Sequence, residues 1–134
     1  MPLCASLPVL AVAVGRRCGY PLYLVSCKGH LFFRWDDGTE RFNVEAAIEG
    51  ADSKPDSYYR QWPYPFDDNE LESEKYLKSL SPAEELGVFA SLRAACLEEN
   101  GSLNGAAEAY RLALNSFPDS KYLRAYLSSV KGED

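Results

Sequence analysis

The sequence predicts an α+β protein in which an N-terminal helix packs on a small antiparallel sheet and further helices follow. Three observations carry this prediction: an apolar stripe at helical spacing near the N-terminus, strand-like apolar runs around an Asp-Gly turn signal, and a helix-capping sequence beyond the middle of the chain. The 134 residues are 46% hydrophobic and 25% charged, which is typical of a globular domain and excludes a disordered or fibrous chain.

The N-terminal elements are predicted to be one helix and two strands. Apolar residues at three- and four-residue steps predict a helix over residues 4–17, and Gly19 is placed to end it. Apolar runs at residues 22–25 and 31–35 predict two buried strands.

An Asp37-Gly38 pair follows the second strand and predicts a hairpin with a two-residue type I′ turn. This turn sets a register in which His30 lies directly opposite Glu45. It also predicts that one apolar face of the hairpin is buried as a group. That face consists of Phe33, Trp35, Phe42 and Val44.

The rest of the chain is predicted to be an ordered covering loop and then helices. Residues 51–69 are rich in proline, aspartate and aromatic residues, which favours an irregular segment that covers the core. Ser81, Pro82 and Glu84 form a capping box that starts a helix. The predicted helices span 82–99, 103–116 and 121–130, and the predicted domains are residues 1–80 and 81–134.

Charge and cysteine content exclude several classes of function. The chain carries 14 basic and 20 acidic residues, a net charge of −6, which disfavours binding to nucleic acid. Four cysteines without a C-x-x-C pair, and a single histidine, disfavour a metal site. The apolar stretch over residues 3–14 lacks a preceding basic region and is too short to cross a bilayer, so we expect a cytoplasmic protein with free thiols and no membrane association.

One set of residues has the chemistry of nucleophilic acyl transfer. Cys4 begins the predicted helix, where the helix dipole stabilises a thiolate, and His30 and Glu45 face each other in the predicted register. Asn43 on the same face is a second candidate to orient the imidazole, and Arg34 is a candidate contact for an anionic substrate group. The structural alternatives are a surface His-Glu pair, a small apolar cysteine and a solvated arginine.

Five short segments are similar to one known family. They are Cys4–Leu10, Gly15–Arg17, Gly19–Leu22, Lys28–Phe32 and Phe42–Glu45. Together they resemble the bacterial transglutaminase-like domain of the branch that is fused to tetratricopeptide repeats. The resemblance implies a core of the cysteine-protease type with a Cys-His-Asp triad and no cofactor. Carried over, Cys4 is the nucleophile, His30 is the base, and Glu45 stands where the family has Asp, with Asn43 as the fallback.

The C-terminal helices match the repeat with which that branch is fused. Gly101, Ala106, Tyr110, Ala113 and Pro118 have the spacing of the second half of a tetratricopeptide repeat. Ala94 and Leu97 suit its first helix. An ordinary amphipathic helix pair is the alternative.

The expected activity is thiol-dependent acyl transfer on amides of a protein or peptide, by hydrolysis, deamidation or transamidation. The family has a helix and a Gly-x-Cys approach before its nucleophile, whereas only three residues precede Cys4. We therefore expect an N-terminally truncated core whose activity is impaired, because a lost oxyanion-hole donor costs about 3–4 kcal/mol. The alternative is a non-catalytic module with a degenerate core that binds a protein partner through its C-terminal helices.

Overall fold

The structure, a computed structural model, describes the backbone of residues 3–46 and 52–132, and side chains from Ala5 onward within those ranges. It is an α+β fold with two compact units, Met1–Leu80 and Ser81–Asp134. None of the described helices is long and apolar enough to cross a membrane. The elements are helix α1 (Leu3–Arg17), strands β1 (Leu22–Cys27), β2 (His30–Asp36) and β3 (Arg41–Val44), and helices α2 (Asp56–Tyr59), α3 (Asp68–Ser73), α4 (Pro82–Glu99), α5 (Leu103–Ser116) and α6 (Lys121–Lys131).

Helix α1 ends as its sequence predicts. Gly19 adopts a positive φ of 82°, and the N–H of Tyr20 donates to the carbonyl of Gly15 at 2.9 Å, which closes the last turn. The helix contacts β1 and β2. A Cβ on Gly15 would lie 2.3 Å from Cδ1 of Leu22, so this glycine allows the close approach of helix to strand. The buried residues of α1 repeat at helical spacing and are Ala5, Pro8, Val12 and Gly15.

The sheet is antiparallel with the order β1-β2-β3. Its tight two-residue turn is Lys28-Gly29, which joins β1 to β2 and brings Cys27 opposite His30. Gly29 has a φ of 78°. The positive φ favours glycine, and a Cβ there would lie 2.8 Å from the ring of Tyr64, which would have to shift.

The predicted type I′ turn at Asp37-Gly38 is wrong. The last pair between β2 and β3 is Asp36 with Arg41, which leaves a four-residue loop at 37–40. The carboxylate of Asp37 accepts hydrogen bonds from the N–H groups of Thr39 and Glu40 at 2.8 and 2.7 Å, and this local bonding stabilises the wider loop. A type I′ turn needs two residues of positive φ, and of the loop residues only Gly38 has one.

The true register pairs Phe33 with Val44 and is shifted by two residues from the predicted one. A shift of two keeps every side chain on its predicted face, because the period of a strand is two. His30 and Glu45 therefore still share a face, although they are no longer direct partners across the ladder.

The prediction of which face is buried is also wrong. Phe42 is exposed, and Phe33, Trp35 and Val44 are half-buried. On the predicted face the buried residues are Leu22, Leu24 and Leu31. The opposite face is buried, because the segment that follows the sheet packs on it and supplies Tyr59 and Phe66 to the core. This confirms that the aromatic-rich segment covers the core. The core cluster consists of Val25, Cys27, Phe32, Tyr59 and Phe66.

The second unit starts at the predicted capping box. The hydroxyl of Ser81 accepts from the N–H of Glu84 at 3.2 Å, and the Glu84 carboxylate accepts from the N–H of Ser81 at 3.0 Å. Helices α4 and α5 have their predicted bounds and pack on each other. A Cβ on Gly87 would lie 2.6 Å from Cβ of Ser116, so this glycine lets the two helices approach closely.

Candidate functional site

A buried His-Glu pair lies at the end of the sheet where β1 turns into β2. Nε2 of His30 is 2.7 Å from Oε2 of Glu45, and the side chains are 3% and 0% exposed. His30 is the first residue of β2, and Glu45 follows β3. The backbone of Glu45 exchanges hydrogen bonds with Asp52 at 2.7 and 3.1 Å, which fixes the direction of the glutamate side chain.

Tyr59 completes the hydrogen bonding of this pair. Its hydroxyl donates to the same Oε2 of Glu45 at 3.1 Å. The Tyr59 ring stacks on Phe32 with centroids 3.8 Å apart, so the position of the hydroxyl is set by the core. The edge of Trp62 meets the His30 ring, with centroids 4.8 Å apart. Tyr59 and Trp62 both belong to the covering segment of residues 51–69, but nothing in the sequence distinguishes Tyr59 from the other tyrosines of that segment.

These contacts suit one protonation pattern. When Glu45 is ionised, its Oε2 accepts both the Tyr59 hydroxyl and an N–H on Nε2 of His30. The lone pair of the imidazole is then on Nδ1. Burial, and then the charge of Glu45, raise the pKa of Tyr59, so its hydroxyl stays a donor at physiological pH. The imidazole is therefore oriented as a base.

The cysteines differ sharply in environment. Cys27 lies opposite His30 in the sheet, and its thiol contacts the carbonyl of Trp62 at 3.8 Å. Burial, and then the charge of Glu45, raise the pKa of this thiol to about 12, so Cys27 is not a thiolate nucleophile. Cys4 is the second residue of α1, and its side chain lies outside the described part of the structure. Cys18 is exposed and Cys96 is half-buried.

The structure places Asn43 in a different cluster from His30. The Asn43 amide accepts from Nε of Arg34 at 2.7 Å and donates to the carbonyl of Lys54 and to the Asp56 carboxylate, so its polar groups are engaged away from the imidazole. Asn43 is therefore a structural partner of Arg34. The prediction of Asn43 as an orienter of the imidazole is not met by this geometry.

Arg34 is a structural cation and does not face a substrate. Its side chain is 0% exposed and donates to Asp56 at 2.8 Å, to Ser79 at 3.1 Å and to the carbonyl of Leu77 at 3.0 Å, besides Asn43. Burial lowers its pKa against the opposing effect of Asp56.

An open cleft of about 550 Å³ lies beside β3, and Arg41 and Lys54 are the cations that line it. The cleft residues are Arg41, Phe42, Asn43, Ser53, Lys54, Pro55 and Asp56.

Over residues 3–46 and 52–132, no group of three or more His, Cys, Asp or Glu residues is arranged to hold a metal ion. Comparison of the chain with protein-family models, curated proteins and solved structures finds no match. Function is therefore inferred from the His30–Glu45 pair and its neighbours.

Proposed function

We propose that this protein catalyses thiol-dependent acyl transfer on amide groups of a protein or peptide, with Cys4 as nucleophile, His30 as base and Glu45 as the residue that orients the imidazole. The observation that carries the proposal is the buried hydrogen bond of 2.7 Å between Nε2 of His30 and Oε2 of Glu45. It leaves Nδ1 as the acceptor, which a base beside a thiol requires.

The position of α1 supports a nucleophile at its start. Gly15 lies against Leu22 at the beginning of β1, and the buried face of the helix extends back to Ala5. This face is about 15 Å long at 1.5 Å per residue, close to the length of about 17 Å of a six-residue strand. Since β1 ends at Cys27, opposite His30, we infer that the helix returns along the strand and that its N-terminus lies at the His30 end of the sheet, with α1 on the Leu22 face and the His30 side chain on the other face.

The proposed reaction has two stages. His30 takes the thiol proton of Cys4, the thiolate attacks the amide carbonyl carbon, and the C–N bond breaks as the leaving amine receives that proton. This leaves a thioester on Cys4. In the second stage water or an amine attacks the thioester with His30 again accepting its proton, and the acyl product leaves as the thiol is restored. Water gives hydrolysis or deamidation, and an amine gives transamidation.

We further propose that residues 1–80 are a transglutaminase-like core and that α4 and α5 are a tetratricopeptide-like hairpin. A helix on a small antiparallel sheet supports the first assignment. Burial of the small residues at repeat positions supports the second. These residues are Ala94, Ala106 and Ala113, each 0% exposed.

Site-mapped alkylation tests the proposal. At pH 6.5 an ordinary thiol with a pKa of about 8.5 is about 1% thiolate. A helix N-terminus and a neighbouring imidazole increase that fraction, so iodoacetamide labels Cys4 at least about tenfold faster than the exposed Cys18. His30→Ala removes the preference, and Cys18→Ser leaves the labelling of Cys4 unchanged. Equal labelling of both cysteines, or a preference that survives His30→Ala, would instead favour a non-catalytic binding module.

A further inference from the structure

We propose that Tyr59 is a positioning residue whose hydroxyl, by donating to Glu45, favours the unprotonated form of the His30–Glu45 pair. Its use in catalysis rests on the proposed acyl transfer, whereas its effect on proton uptake does not. The observation behind it is that one oxygen, Oε2 of Glu45, lies 2.7 Å from Nε2 of His30 and accepts the Tyr59 hydroxyl at 3.1 Å.

Proton uptake by the pair is favoured by its buried carboxylate. An ionised glutamate beside an imidazole stabilises the imidazolium, and a base that already holds a proton cannot accept one from a thiol. The Tyr59 hydroxyl donates to the carboxylate and stabilises its negative charge. This bond is strongest while His30 is neutral, because a protonated imidazole already neutralises the same oxygen. Tyr59 therefore stabilises the unprotonated pair more than the protonated one, wherever the added proton resides.

The other groups around the imidazole do not replace this effect. Cys27 faces the ring from β1 as a neutral thiol, since burial raises its pKa to about 12. Lys28 in the adjoining turn is paired with Glu70 at 2.7 Å, and those charges offset each other. Tyr59, by contrast, donates directly to the Glu45 carboxylate.

The test is a pH titration of the imidazole by NMR. His30 is the single histidine of the chain, so its ring signals need no assignment. Tyr59→Phe keeps the ring that stacks on Phe32 and removes only the hydroxyl. We expect it to raise the midpoint of proton uptake by about 0.5 to 1 pH unit, since a hydrogen bond to a charged group is strong. Glu45→Gln lowers the midpoint instead.

The matched control is Tyr110→Phe, because the Tyr110 hydroxyl also donates to a glutamate, Glu98, at 2.8 Å, and it belongs to the second unit. It leaves the His30 midpoint unchanged. A Tyr59→Phe protein that stays folded with an unchanged or lower midpoint would overturn the proposal.

A second measurement serves if Tyr59→Phe fails to fold. The ¹⁵N shifts of the neutral ring in the unsubstituted protein report which nitrogen carries the proton. We expect it on Nε2, and a proton on Nδ1 would contradict the proposed bonding. Neither measurement requires turnover, so an inactive protein with the expected midpoints rejects only the proposed function. Selective labelling of Cys4 without a midpoint shift rejects only the role of Tyr59.

Discussion

His30 and Glu45 are joined side chain to side chain, Nε2 to Oε2 at 2.7 Å, and both are buried on the face of the sheet that carries the core cluster. Both polar groups are removed from water, and each satisfies the other. The pair is therefore a structural element as well as a chemical one, and removing either member has a cost for folding that can be measured apart from activity.

Glu45→Ala is expected to reduce the free energy of unfolding by about 3–5 kcal/mol, because it leaves the buried polar groups of His30 and Tyr59 without their hydrogen-bond partner. Urea unfolding followed by circular dichroism measures this. The control is Asp68→Ala, whose carboxylate pairs with Arg60 and is 87% exposed, and it leaves stability nearly unchanged. Similar losses in the two variants would mean that the buried pair has no special structural role.

Arg34→Lys is expected to destabilise the protein by about 3 kcal/mol, although it preserves the charge. A lysine ammonium cannot reach Asn43, Asp56 and the Leu77 carbonyl together, as the planar guanidinium does. Arg41→Lys is the matched control, because Arg41 contacts the same Asp56 from an exposed position at 3.5 Å. The melting temperatures of the two variants, measured by thermal unfolding, are compared with that of the unsubstituted protein. The structural role of Arg34 is wrong if both variants melt at the same temperature.

Gly29→Ala is expected to cost more stability than Gly38→Ala. Both glycines have a positive φ, of 78° and 85°, which costs an alanine about 1–2 kcal/mol. At Gly29 the added Cβ would also lie 2.8 Å from the Tyr64 ring, whereas at Gly38 nothing lies within 4 Å. Chemical denaturation of both variants ranks them. The reverse order would contradict the turn assignments.

Cys27 gives a prediction for alkaline pH. Burial raises its pKa from 9.0 to about 12, so between these values the unfolded chain releases the thiol proton while the folded chain keeps it. The contribution of the Cys27 thiol to the free energy of unfolding is therefore complete below pH 9 and is lost as the pH rises toward 12. Cys27→Ala therefore flattens the decline of unfolding free energy above pH 9. A decline as steep as in the unsubstituted protein would show that the thiol ionises normally when folded.

Local signals predicted α1, α4, α5 and α6, whereas the short helices α2 and α3 were not predicted. The capping box at Ser81 and the turn at Asn100-Gly101 act within a few residues, so the bounds of α4 and α5 follow from the sequence. The turn type at Asp37-Gly38 was predicted wrongly for a similarly local reason. The Asp37 side chain accepts two backbone N–H groups, and this bonding stabilises the four-residue loop in place of the two-residue turn.

The buried polar face could not be predicted in the same way. From the sequence alone Arg34 is indistinguishable from a solvated charge. Its partners Asp56, Leu77 and Ser79 lie 22 to 45 residues further along the chain. The His30–Glu45 pair was predicted because the error in register was an even number of residues. Tyr59 was missed because its role depends on a contact across the core.

The central claim is that Cys4 forms a thioester with the help of His30, and acyl trapping tests it most directly. The protein is incubated with p-nitrophenyl acetate, and intact-mass and peptide mass spectrometry locate the acetyl group. We predict one acetyl group per chain on Cys4, released by neutral hydroxylamine, absent from Cys4→Ala, strongly reduced in His30→Ala and unchanged in Cys18→Ser. Acetylation that is spread equally over Cys4 and Cys18, or that His30→Ala leaves unaltered, would contradict the claim.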